Sequence, residues 1–172
     1  MAETLIIAQG NKEEKYHTLL PQIKSLTADE PDIIANLGNT AAAIYDTFRH
    51  LWVGFYRVRP ALRPTETCPE ELVLGPFQGP IACTRIRKGH GVCGTAWEKR
   101  QTLIVPDVAR FSGHIACSSR SRSEIVVPIR DVSHDCIWGL LDIDSENLGT
   151  FDDIDTHYLE EICALLAELP SH

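Results

Sequence analysis

Apolar and polar positions recur with different periods along this chain, and each change of period marks an element. Residues 11–26 carry Leu19, Leu20, Ile23 and Leu26 on one stripe, which predicts a first helix with Pro21 as a candidate kink. Asp29-Glu30-Pro31-Asp32 is a helix-start signal. The helix it opens places Ile33, Leu37, Ala41, Ile44 and Phe48 at spacings of three or four. From Leu51 to Val58 the residues are aromatic and β-branched, which predicts a strand with Trp52 and Tyr56 on one face. The Pro-containing stretch 59–69 reads as a loop, followed by short strands at 71–74 and 81–86. A short helix is expected over Gly91–Lys99 and a short strand over Thr102–Val105. Residues 108–123 are polar without a period and read as a long loop.

Two apolar runs follow, Glu124–Arg130 and Cys136–Asp144, and the polar residues between them predict an antiparallel hairpin. A last helix starts near Thr150 and is expected to bury Ile154, Tyr158, Ile162, Leu165 and Leu169. Helices at both ends around a central set of strands indicate an α+β fold with helices packed on one face of an antiparallel sheet. At 172 residues the chain fits one domain with a core about 30–169 and an N-terminal helix about 11–26. A domain of that size buries roughly 70% of its unfolded surface, so it needs neither a disulfide framework nor a structural metal.

The hairpin sharpens the picture. A register symmetric about Ser133 would set Glu124 opposite Asp142, and alternation puts Asp142 and Asp144 on the same face. Like charges that close destabilise a sheet unless a cation, an ammonium group or a needed proton sits among them. Just ahead of the hairpin, Cys117 stands in a glycine- and serine-rich loop, Gly113-His114-Ile115-Ala116-Cys117. It is the candidate nucleophile, with His114, Arg120 and Arg122 as possible sources of the positive charge that favours a thiolate. Cys83 and Cys93 are candidate resolving thiols. Cys136 and Cys163 lie in apolar patterns and are expected to be buried, and Cys68 to be exposed. Trp52 and Tyr56 could wall a pocket for an apolar or thioether group. Thiols that carry electrons, next to acids that hold a proton or a cation, suggest redox chemistry on a small polar molecule.

Composition narrows the partners. Hydrophobic residues make up 44% and charged residues 23%, with a formal net charge of -8, which argues against nucleic acid and anionic membrane as partners. The first residues lack a basic start and a long apolar core, so a cytoplasmic location is expected. The six cysteines include no C-x-x-C pair, and no resident metal is expected.

Seven pieces, in order, carry a resemblance. They are Trp52-Val53-Gly54-Phe55-Tyr56, residues 72–79, Ile81-Ala82-Cys83, Gly91-Val92-Cys93-Gly94-Thr95-Ala96, residues 113–117, residues 123–128, and Gly139 through Ser145. On these the chain resembles the GAF-domain free methionine-(R)-sulfoxide reductases, and it departs from them at 59–70 and 118–122. The resemblance implies a single GAF domain over 1–172. It implies that Cys117 attacks the sulfoxide, becomes a sulfenic acid and condenses with Cys83 to a disulfide, with Cys93 as an auxiliary thiol. It implies that Glu124, Asp142 and Asp144 bind the substrate's polar groups while Trp52 and Tyr56 contact its S-methyl end. No bound cofactor is implied; an external dithiol such as thioredoxin would recycle the disulfide. A homodimer through the terminal helices is compatible. The competing expectation is a GAF small-molecule sensor without catalysis, for which an attached output domain would be usual.

Overall fold

Strand alternation sorts the central residues onto two apolar faces, and each face acquires its own helices. The computed structural model describes residues 4–113, 118–131 and 133–168. Among these, the helices are α1 (Lys12–Thr27), α2 (Ile33–Phe48), α3 (Gly91–Lys99) and α4 (Asp153–Ala167). The strands are β1 (Trp52–Thr65), β2 (Cys68–Gln78), β3 (Arg85–Ile86), β4 (Leu103–Val105), β5 (Ser123–Asp131) and β6 (Cys136–Ser145). They form one antiparallel sheet in the order β3-β2-β1-β6-β5-β4. On one face Val53, Phe55, Ile125, Val127, Leu141 and Ile143 pack beneath α2 and α4, and α1 lies against those two helices. On the other, Trp52, Tyr56, Val126 and Leu140 pack with Val92, Cys93, Ala96 and Trp97 of α3. The α+β arrangement with terminal helices on one face is therefore as the periodicity predicts.

Local chemistry explains the helix starts. The Asp32 side chain accepts from the Ile34 and Ala35 amides, and Asn11 and Asp152 each form a reciprocal capping box. α1 runs through Pro21, which lies on the exposed side. α4 is rotated relative to the expected stripe: Asp155, Leu159, Ile162, Cys163 and Leu166 face inward, while Ile154, Tyr158 and Leu165 are half-buried and Leu169 lies outside the described residues. The reason is Asp155. Its Oδ1 accepts from the Tyr16 hydroxyl at 2.9 Å and its Oδ2 lies 2.5 Å from Lys12 Nζ, joining α4 to α1. Breaking a buried pair of this kind costs about 3–5 kcal/mol, less where one partner reaches water. Because Lys12 keeps Asp152 at 2.8 Å, Asp155→Ala is expected to lower unfolding stability by about 2–3 kcal/mol in a urea titration.

Three expectations need correction. The stretch 59–69 is mostly strand: β1 and β2 continue outward as a long hairpin, with the pairing irregular between Pro60 and Thr65. The prolines there sit on an exposed hairpin arm, where a missing amide costs little. Of 81–86 only Arg85 and Ile86 pair. Cys136 is exposed, because it is the first residue after the turn and lies beyond the cover of the helices.

The β5–β6 register also differs from the symmetric expectation. Asp131 faces Cys136 and Arg130 faces Ile137, but Ile129 faces Gly139, so Trp138 is an extra residue. The bulge puts Ile137 and Leu140 on the same face despite their odd separation. Glu124 consequently faces Asp144, and Asp142 faces Val126. The total slip is two residues, which exchanges the facing partner and preserves the face.

Candidate active site

The acid-bearing face is built by three adjacent strands. Across one row of the sheet stand Trp52, Asp144 and Glu124; across the next, Gly54, Asp142 and Val126; across the third, Tyr56 and Leu140. Gly54 leaves the position beside Asp142 without a side chain. The Trp52 indole fills that space: a Cβ built on Gly54 would lie 2.4 Å from the ring and 2.4 Å from Phe77 Cβ. Trp52 stacks on Phe77 at 5.4 Å and on Tyr56 at 6.1 Å, and its Nε1 donates to the Pro80 carbonyl at 3.1 Å. The Tyr56 hydroxyl donates to the Cys83 carbonyl at 2.9 Å, which fixes that cysteine's backbone beside the aromatic wall.

From the α3 side, Cys93 reaches the acids. Its Sγ lies 3.9 Å from Glu124 Oε1, and Cys93, Glu124 and Asp142 are all buried. Gly94, the next residue, lets the first turn of α3 close on the turn before it, since a Cβ there would meet the Arg87 carbonyl at 2.3 Å. Burial pushes the Glu124 carboxyl well up, and the charges of Asp142 and Asp144 push it further. Asp142 is raised by burial and then by Asp144. The Cys93 thiol rises for the same reasons, burial first and then the neighbouring acids. Asp144 is half-buried and accepts a hydrogen bond from Ser121 Oγ; burial raises it to about 6. Raised carboxyls keep a proton to higher pH than free ones, so the cluster can donate to an anionic or polarised oxygen as well as receive a cation.

The Asp144 shift has a testable sign. Its folded value lies above the ordinary carboxylate value of 3.8, so the protonated form favours folding. That contribution is complete below about pH 4 and lost as pH rises through about 6. Asp144→Asn removes the titration. The stability difference between wild type and this variant, followed by urea unfolding across that window, is expected to move against the wild type as pH rises.

The thiols divide clearly. Cys68, Cys93, Cys136 and Cys163 are free, whereas Cys83 is disulfide-bonded. Cys163 is buried in the helical layer, as expected. Cys68 is half-buried rather than exposed. Cys117 and His114 lie outside the described residues. Arg120 is exposed and pairs with Glu146 at 2.8 Å, so its charge is committed there; Arg122 is also exposed. Trp52, Tyr56, Cys83, Cys93, Glu124, Asp142 and Asp144 therefore share one face. Sequence reasoning missed Gly54 and Ser121. Gly54 lies inside a strand and Ser121 is one of four serines in six residues, so only the fold marks them out.

Comparison with known proteins gives the family. The GAF domain family model matches residues 32–168. GAF domain-containing protein A of Dictyostelium discoideum is 57% identical over 166 residues, covering 96% of this chain and 99% of that protein. Free methionine-R-sulfoxide reductase of Escherichia coli is 42% identical, covering 92% and 90%. The X-ray structure of free methionine-R-sulfoxide reductase from Neisseria meningitidis in complex with its substrate superposes with a TM-score of 0.88 at 48% identity, covering 96% of this chain and 93% of that one.

Proposed function

Because the chain belongs to the GAF-domain family of free methionine-R-sulfoxide reductases, we propose that it reduces free L-methionine (R)-S-oxide to methionine through Cys117, Cys83 and the acid cluster. The Cys117 sulfur attacks the sulfoxide sulfur while a protonated carboxyl among Glu124, Asp142 and Asp144 donates to the oxygen. The oxygen passes to Cys117 as a sulfenic acid, and methionine leaves with the electron pair. The Cys83 thiol then displaces that oxygen as water and forms a disulfide, so two thiols supply the two electrons. An external dithiol reduces the disulfide by exchange, and thioredoxin is the expected donor. No bound cofactor takes part. Cys93 is the auxiliary thiol.

The observation that carries this reading is the convergence of three raised carboxyls on the face that also holds the disulfide-bonded Cys83. The remaining carboxylate charge holds the substrate ammonium, and the Trp52–Tyr56 wall takes the S-methyl end, a basis for choosing one epimer. We further propose that the enzyme is cytoplasmic, acts on oxidised free methionine under oxidative stress, and forms a homodimer through its terminal helices. Among the described residues no helix is long and apolar enough to cross a membrane.

A coupled assay following NADPH oxidation with thioredoxin and its reductase tests the activity. Turnover that depends on free methionine (R)-sulfoxide is expected, and its absence from folded protein would reject the reading. Capping the substrate's amine with a dabsyl group removes the ammonium and leaves the buried acids unpaired, an expensive outcome. The capped compound is expected to lose about 100-fold or more in kcat/KM; equal consumption of the two would reject the ammonium clamp.

A further inference from the structure

The acid cluster contains a thiol, and this combination suggests a second kind of ligand. Cys93 Sγ and one carboxylate oxygen each from Glu124 and Asp142 lie within 4.8 Å of one another. All three residues are buried, and each comes from a different element, α3, β5 and β6. Zinc with sulfur at about 2.3 Å and carboxylate oxygens at about 2.0–2.2 Å sets tetrahedral S···O edges near about 3.5 Å. The Cys93–Glu124 separation of 3.9 Å is within a small side-chain adjustment of that edge.

A second observation, at one of these three residues, points to an unfilled position. Asp142 is 6% exposed, and its Oδ1 is buried without a hydrogen-bond partner among the described residues. Cys93 and Glu124 can each share a proton with the Asp142 carboxyl, but the unpartnered Oδ1 remains costly unless a donor or a cation reaches it. The donor set selects the cation. Magnesium and calcium prefer all-oxygen shells of six or more, whereas one thiolate with two carboxylates suits zinc and leaves a fourth position open.

We propose that Cys93, Glu124 and Asp142 form a binding site for a zinc-class divalent cation, and that the cation competes with the substrate for these carboxylates. On binding, the Cys93 S–H bond breaks and a sulfur–metal bond forms; the thiol proton, and any proton shared by Glu124 and Asp142, leave to the buffer, with no change in oxidation state. The competition rests on the substrate placement proposed above; the metal site does not. The consequence is a reductase that free zinc inhibits at its acid cluster and not at its attacking sulfur.

The test uses the oxidised, metal-free protein, in which Cys83 remains in its disulfide. Titration with Co²⁺ is expected to show one ion per chain and an intense thiolate-to-cobalt charge-transfer band, both displaced by Zn²⁺. Cys93→Ser is expected to lose the band and weaken binding by about 100-fold. Asp142→Asn, close in shape and leaving the thiol in place, is expected to weaken it by at least about tenfold. Absence of bound cobalt, or a band that persists in Cys93→Ser, would overturn the site. Saturating methionine (R)-sulfoxide should raise the apparent cobalt Kd by about tenfold. Cobalt binding indifferent to the substrate would keep the metal site and overturn the competition. A missing turnover in the coupled assay would instead strike the proposed function and leave the cobalt band unaffected.

Discussion

Cys117→Ser is expected to abolish methionine sulfoxide reduction altogether, in both the single-turnover and the steady-state assay. A hydroxyl is a far weaker nucleophile and leaves no reversible oxidised state that a thiol can resolve. Cys83→Ser should behave differently. One equivalent of methionine forms per chain, because the attack at Cys117 needs no second thiol, and then recycling stops with the sulfenic acid in place. Rapid-quench chromatography of the product, with dimedone labelling of the oxidised chain, separates the two variants. Equal steady-state rates with and without Cys83 would remove it from the resolving role and transfer that role to Cys93. The geometry makes this a demanding test: Cys93 lies against Glu124 and Asp142, and burial together with those acids strongly disfavours its thiolate. Cys83 instead stands at the end of the aromatic wall, its carbonyl held by Tyr56.

Glu124→Gln and Asp142→Asn are expected to lower kcat/KM by about 100-fold or more, chiefly through KM if the residue binds the ammonium and through kcat if it donates the proton. The same substitutions should not destabilise the protein at neutral pH. Both carboxyls are buried and pushed up, so the folded state disfavours their ionisation, and a neutral amide removes that conflict. Lower activity with unchanged or higher stability is the signature of acids kept for chemistry. A parallel loss of both would mean instead that Glu124 and Asp142 hold the sheet together. The outcome is read by steady-state kinetics alongside urea unfolding at the same pH.

The three acids also show which features of the site were legible before any coordinates. Asp142 and Asp144 sit two apart in an otherwise apolar strand, so period-2 alternation alone puts them on one face. Glu124 opens the neighbouring strand, and its place on that face survives the unexpected register because the slip is even. The bulge at Trp138 was hidden, since apolar residues on both sides fit a regular ladder equally well. Cys136 was misjudged for a related reason: its apolar neighbours describe the strand, but burial at a strand's first residue depends on what covers it. The β1–β2 arm was misread because proline signals a loop locally, and only pairing with the opposite strand makes it an edge-tolerant extension.

The sequence alone determined the alternation of helices and strands, the two-sidedness of the sheet and the set of thiols and acids able to do redox chemistry, because these follow from periods and residue types along one chain. Tertiary structure decided which of them meet. Cys93 reaches Glu124 and Asp142 only because α3 lies across β5 and β6, and the Trp52 indole lies beside Phe77 over Gly54 only because no Cβ stands there. Contacts between residues 31 to 49 positions apart depend on packing and loop closure, and neither leaves a periodic mark in the chain.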